Sequence, residues 1–145
     1  MFRIVSIGVS SAVIATGLMA FAVLGGEERN AEQVNSLPYA IGFALVVTAL
    51  IFGLLVPWAT KHSSAQRSNR PAKVGIVFSV LGGLSLVVFW SGLPIIFGGT
   101  GVALGLVGQE RASEAGQGRR PALAAVIVGL LAVISAAGII IAEKV

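Results

Sequence analysis

Residues 74–108 read VGIVFSVLGGLSLVVFWSGLPIIFGGTGVALGLVG, 35 residues without one Asp, Glu, Lys, Arg or His. As one straight helix they would extend roughly 52 Å. The hydrocarbon of a bilayer is only ~30 Å thick, and tilt does not absorb such an excess. The stretch is therefore predicted to fold back on itself as a helical hairpin. Ser91, Gly92, Leu93 and Pro94 stand near its middle, where Gly permits a turn and Pro suits the first turn of a new helix. The arms are expected at 74–90 and 94–110. The second arm has a difficulty, because 94–108 alone gives only about 22 Å of helix. It is expected either to run past Gly108 with Arg111 snorkelling, or to be a re-entrant segment enclosed by protein.

Three further uncharged stretches, 4–24, 39–58 and 122–142, are each long enough for one crossing. The chain is 56% hydrophobic and 11% charged, with a mean hydropathy of +0.95. So much apolar surface exceeds what a water-soluble core buries. The expected fold is an all-α, polytopic transmembrane helix bundle forming a single domain over 1–145, with five spans near 4–24, 39–58, 74–90, 94–110 and 122–142.

Charge placement predicts the orientation. The loop 25–38 carries Glu27, Glu28 and Glu32 against Arg29, whereas 59–73 carries Lys61, Arg67, Arg70 and Lys73 without an acid. The loop 109–120 holds Arg111, Arg119 and Arg120. Basic loops are retained in the cytoplasm. A hairpin at 74–108 leaves eight of the 10 Lys and Arg residues on that side, Arg3 included; a single crossing would send three arginines out. The chain is thus expected in the cell (plasma) membrane with its N-terminus cytoplasmic and its C-terminus outside. Tyr39, Trp58 and Trp90 fall where headgroups would meet helices. Arg3, the apolar run and Ala20-Phe21-Ala22 also fit a cleaved signal peptide; the uncleaved anchor is favoured because the run is long enough to cross by itself.

Between helices in lipid, close packing replaces the hydrophobic drive, and small residues permit it. The chain has 19 glycines. Gly101 with Gly105, Ala125 with Gly129, Ala132 with Ala136, and Gly138 with Ala142 repeat a small-xxx-small spacing, and all are expected against neighbouring helices. The Gly-rich run 98–105 lacks both the GxGxxG spacing and a GK[ST] ending, so packing is preferred to phosphate binding. Arg70-Pro71-Ala72 is echoed by Arg120-Pro121-Ala122, each placed to start a helix. With Val80-Leu81-Gly82-Gly83, the run from Ala103 to Gly108 and the run from Ala125 to Gly129, residues 72–141 resemble uncharacterised small Gly/Ala-rich bacterial membrane domains of actinobacterial type. That resemblance implies a helical membrane fold and no established activity.

Chemistry is sparse. There is no Cys, which excludes disulfides, thiolate catalysis and Cys-based zinc sites. No acid, base or imidazole lies within the stretches 4–24, 39–58, 74–108 and 122–142, where such groups would mark pathways and active sites. Ser10, Ser11, Thr16, Thr48, Ser79, Ser85, Thr100 and Ser135 supply the hydroxyls there, and each is expected to bond its own helix backbone. His62, Glu27 and Glu28 read as solvated loop residues. No catalytic, cofactor or metal residue is expected, and no enzyme. The net charge of +4 reads as topology rather than nucleic-acid binding. Membrane lipids are the expected partners, with anionic headgroups near Lys61, Arg67, Arg70 and Lys73, together with a partner membrane protein or a second copy of the chain. The leading expectation is an accessory or scaffold subunit of a membrane assembly; the second is a small transporter, or transporter subunit, for an apolar or lipid-like solute.

Overall fold

The computed structural model describes residues 2–24, 31–61, 69–115 and 118–142. The chain is an all-helical bundle in which five helices are long and apolar enough to cross a membrane. In chain order these are α1 (Phe2–Leu24), α2 (Ala31–Leu50) continuing through a π-helical turn (Ile51–Leu55) into α3 (Val56–Lys61), α4 (Arg70–Leu84), α5 (Leu93–Ala115) and α6 (Arg119–Ala142). A 3-10 segment (Ser85–Ser91) joins α4 to α5.

The hairpin is present, with bounds that differ from those read in the sequence. Its first arm begins earlier, at Arg70, because Asn69 caps the helix by accepting a hydrogen bond from the Ala72 amide and Pro71 occupies the first turn. The turn is also broader than the four residues 91–94. Helical geometry fails at Val88 (φ −118°, ψ 45°), and Gly92 takes φ +70°, a backbone conformation open mainly to glycine. The Ser91 hydroxyl donates to the Val88 carbonyl and accepts from the Leu93 amide, closing the turn. The second arm is not short: α5 has 23 residues, about 34 Å of helix, because no Gly or Pro interrupts 109–115. That length removes the reason for a re-entrant segment.

α5 is the buried centre. Ile95, Ile96, Thr100 and Leu104 are wholly inaccessible, and Phe97 meets Phe78 of α4 edge to face at 5.9 Å. Against α4 it runs antiparallel, with Gly98, Gly101, Gly105 and Gly108 facing Gly82, Ser79, Gly75 and Ala72 in turn. Against α6 the contact is also backbone on backbone. A Cβ added to Gly98 would lie 2.7 Å from the Gly129 carbonyl oxygen, and one on Gly129 would lie 2.6 Å from that of Gly98. A Cβ on Gly105 would lie 2.9 Å from the Ala122 carbonyl oxygen. Four of the five glycines of α5, Gly98, Gly101, Gly105 and Gly108, follow spacings of three, four and three. So do Ala72, Gly75, Ser79 and Gly82 on α4, and Ala122, Ala125, Gly129 and Ala132 on α6, all buried. Each ladder is the narrow 3-4 seam on which helices pack at shallow angles. α4 and α6 therefore run parallel, each packed on α5 and on the other, and each following its Arg-Pro-Ala start.

The small-xxx-small expectation holds for three pairs and fails for the fourth. Gly138 is exposed with no heavy atom within 4 Å of its added Cβ, and Ala142 is exposed as well. The face is set by Ala125, Gly129, Ala132 and Ala136, and Gly138 falls off that line.

The outer layer is thinner. Ser11 of α1 packs on Gly99, while Ala15 and Met19 pack on Gly92. The Phe52 ring fills the space beside Gly8. Along α2 the buried positions are Ala44, Thr48 and Ile51, then Val56 and Ala59. The step of five from Ile51 to Val56 is the π turn, in which the Val56 amide bonds the Ile51 carbonyl. Its cause is Pro57, which has no N–H for the Gly53 carbonyl and whose ring would clash with it. One extra residue in the turn relieves the conflict.

Replacing Gly98 by Ala should force α5 and α6 apart and cost about 1–3 kcal/mol. Gly138→Ala, on the open side of α6, should be neutral or gain up to about 1 kcal/mol from helix propensity. Equilibrium unfolding of the two variants in detergent micelles checks this contrast.

Candidate functional site

The polar chemistry of the described residues collects at one end of the bundle. Because α5 runs opposite to α1, α4 and α6, the start of α1, the end of α3, the starts of α4 and α6 and the end of α5 share that end. Arg70, Lys73, Arg111, Arg119 and Arg120 are therefore grouped there with Glu110 and Glu114, an excess of positive charge, while Glu32, at the start of α2, lies at the other end.

Asn69 ties three helices together at this basic end. Besides capping α4, its side-chain amide donates to the Gly108 carbonyl of α5 at 2.7 Å. It also lies against Gly118, whose φ of +85° leads into α6 and where a Cβ would collide with it. A half-buried side chain that hydrogen-bonds two backbones and packs on a third resists replacement, since each lost hydrogen bond leaves a backbone polar group without its partner.

Two guanidinium groups hold the last turn of α3. Arg111 Nη2 donates to the Thr60 carbonyl at 2.6 Å, satisfying one of the carbonyls that every helix C-terminus leaves open and placing a cation at the negative end of its dipole. The Arg111 Nη1 atom is buried with no hydrogen-bond partner among the described residues, which offsets part of that gain. Arg70 lies over the Trp58 ring with its central carbon 4.0 Å from the centroid, a cation–π contact. Arg111 thus reaches the neighbouring helix end, whereas the sequence reading gave it only the general direction of the headgroups.

Of the residues read as a headgroup surface, Arg70 is half-buried against Trp58 and Lys73 is exposed. The Lys61 side chain and Arg67 lie outside the described residues, as do His62, Glu27, Glu28 and the side chain of Trp90. Tyr39 is among the most exposed side chains.

Within the spans Thr16, Thr48, Ser85 and Thr100 bond the carbonyl four residues earlier in their own helix. Ser79 departs from that expectation. Its hydroxyl donates to the Ala125 carbonyl of α6 at 2.6 Å, because Gly101 and Gly129 leave no side chain between α4 and α6 at that level. The signal was in the sequence, since Ser79 is the one polar member of the small ladder on α4. Among the described residues no three His, Asp or Glu side chains approach closely enough to hold a metal ion.

Two apolar grooves are lined by described residues. One, about 520 Å3, lies between α1 and α2 along Gly8, Val9, Ala12, Thr16, Ala49 and Gly53. The other, about 490 Å3, follows the π turn along Leu50, Ile51, Leu54, Leu55 and Trp58. No family model, curated protein or solved structure matches the chain.

Arg111→Gln should speed hydrogen exchange of backbone amides in α3 by about tenfold or more, as expected for losing a charge-assisted bond, while α4, α5 and α6 keep their protection. Peptide-resolved exchange mass spectrometry reads both.

Proposed function

We propose that this chain is a small scaffold or accessory subunit of a membrane assembly. The observation that carries the reading is the make-up of the interior. Where a solute path would need polar or charged lining, α5 meets α4 and α6 backbone to backbone, and the span hydroxyls described above bond helix carbonyls. Such an interior suits a rigid body that holds its shape in lipid.

The partner in this reading is another membrane protein or a second copy of the chain, meeting the thinner α1–α2 side. The transporter reading for an apolar or lipid-like solute draws on the groove between α1 and α2. That groove faces outward, its wall including Val5 and Val9, each more than half exposed, rather than passing between the two sides of the bundle. The likeness of 72–141 to small actinobacterial-type membrane domains rests on their Gly/Ala pattern, for which the three packing ladders supply a sufficient physical reason.

In this proposal the basic end faces the cytoplasm of a cell with the chain in its plasma membrane. Arg70, Lys73, Arg111, Arg119, Arg120 and the N-terminal end of α1 share it, and positive charge is retained inside. A cysteine at Ser113 should then react with a membrane-impermeant maleimide only after the cells are opened, and one at Glu32 in intact cells. The opposite pattern inverts the orientation. Affinity purification at native expression in mild detergent should recover a stoichiometric membrane-protein partner or a defined oligomer. Repeated recovery of the monomer alone removes the scaffold reading, and solute flux through vesicles holding that monomer would establish the transporter instead.

A further inference from the structure

We propose that the groove at the π turn, closed at one end by Trp58 and Arg70, is a binding site for one anionic phospholipid. The proposal goes beyond the scaffold reading and stands or falls apart from it. It also narrows the general attraction of a basic loop for headgroups to a single place.

The site is a product of the π turn. Without the added residue, the buried series Ala44, Thr48, Ile51 would continue on the inward face through Leu55 and Trp58. With it, Val56 and Ala59 take those places and Trp58 turns outward, 47% exposed. Leu50 and Leu54 are more than half exposed on the same side. Together with Ile51, Leu55 and Trp58 they line about 490 Å3 of wholly apolar groove. Over eight residue steps it runs about 12 Å along the helix, from the level of the interfacial tryptophan toward the middle of the hydrocarbon. A lipid acyl chain in that leaflet lies in the same direction at the same depth.

The charge at the end of the groove selects the headgroup. Arg70 rests one face on Trp58, and stacking leaves the in-plane N–H fork open. Among the described residues no acceptor meets that fork. A guanidinium so held suits a phosphodiester through paired, charge-assisted hydrogen bonds, and Lys73, one turn on and exposed, adds a second positive charge to the rim. The occupant therefore has an apolar tail for Leu50 and Leu54 and a net negative headgroup for Arg70 and Lys73. A lipid of the phosphatidylglycerol type has both; a zwitterionic phosphatidylcholine has the tail but not the net charge.

Trp58 reports on the site directly. With Trp90→Phe it is the remaining tryptophan of the chain's two, and bromine on acyl chains quenches an adjacent indole. The purified chain is placed in phosphatidylcholine vesicles containing the same mole fraction of brominated phosphatidylglycerol or brominated phosphatidylcholine. Phosphatidylglycerol should compete for Trp58 about fivefold better, the scale of one basic residue acting on one anionic headgroup. Arg70→Gln should bring the ratio close to one. Arg70→Lys, which keeps charge but loses the fork, should lower it, and Arg119→Gln with Arg120→Gln should leave it unchanged. Equal quenching by the two lipids with Arg70 present means ordinary annular lipid and overturns the proposal. A ratio untouched by both Arg70 changes, or abolished by the Arg119 and Arg120 pair, assigns the preference to the surface as a whole and overturns it equally.

Discussion

The approach of α5 to α4 and α6 at glycine is the contact on which the rest of the bundle depends. Helices in lipid gain little from excluding water, so their association rests on the number of atoms in contact and on polar groups satisfied across the seam. Glycine at Gly98, Gly105 and Gly129 lets main chains touch where side chains would hold them apart. Dispersion is weak per atom pair and large only when many pairs meet at the right distance. The Ser79 to Ala125 hydrogen bond depends on that same closeness, because a serine side chain is too short to bridge helices held apart by larger residues. The short, direct hydrogen bond and the tight seam have one cause.

From that trio the outer layer follows. α1 finds a surface because Gly92 and Gly99 leave room for Met19 and Ser11, and α2 finds one because Gly8 leaves room for Phe52. The layers thus become progressively less glycine-to-glycine and more side chain on backbone. Contact is poorer outward, and larger apolar side chains such as Leu54 and Val13 face lipid. Membrane solvent reverses the usual expectation, since an exposed leucine here is solvated rather than frustrated.

The number of spans was legible because charge in lipid is costly enough to be excluded from them, and a 35-residue uncharged run admits few solutions. The hairpin followed from arginines placed on both sides of it. Helix ends were less legible. Arg70 and Gln109 lie within helices, since a polar residue ends the apolar stretch without ending the hydrogen-bond ladder; among the described residues Asn69, Gly92 and Gly118 mark true ends through capping or positive φ. The small residues were visible as pairs four apart. Their full pattern of three, four and three requires knowing that α4, α5 and α6 all present such ladders, and the pair Gly138 and Ala142 satisfies the shorter rule while facing away. Ser79 shows the same limit, because whether a hydroxyl bonds its own helix or the next depends on how near the next one lies.

The π turn is where sequence and structure differ most instructively. Pro57 announces a disturbance, but its consequence depends on what the helix must do beyond it. A kink would swing the last turn away from the bundle; an added residue instead rotates the faces beyond it. The rotation puts Val56 and Ala59 inside and the Thr60 carbonyl within reach of Arg111. By the same movement Trp58 meets Arg70. A single missing N–H thus leads both to the Thr60–Arg111 hydrogen bond and to the Trp58–Arg70 contact. The two arginines in turn give that end fixed partners, one for the Thr60 carbonyl and one for the Trp58 ring, so a helix longer than ~30 Å of hydrocarbon carries its own polar and cationic contacts at the end that exceeds it.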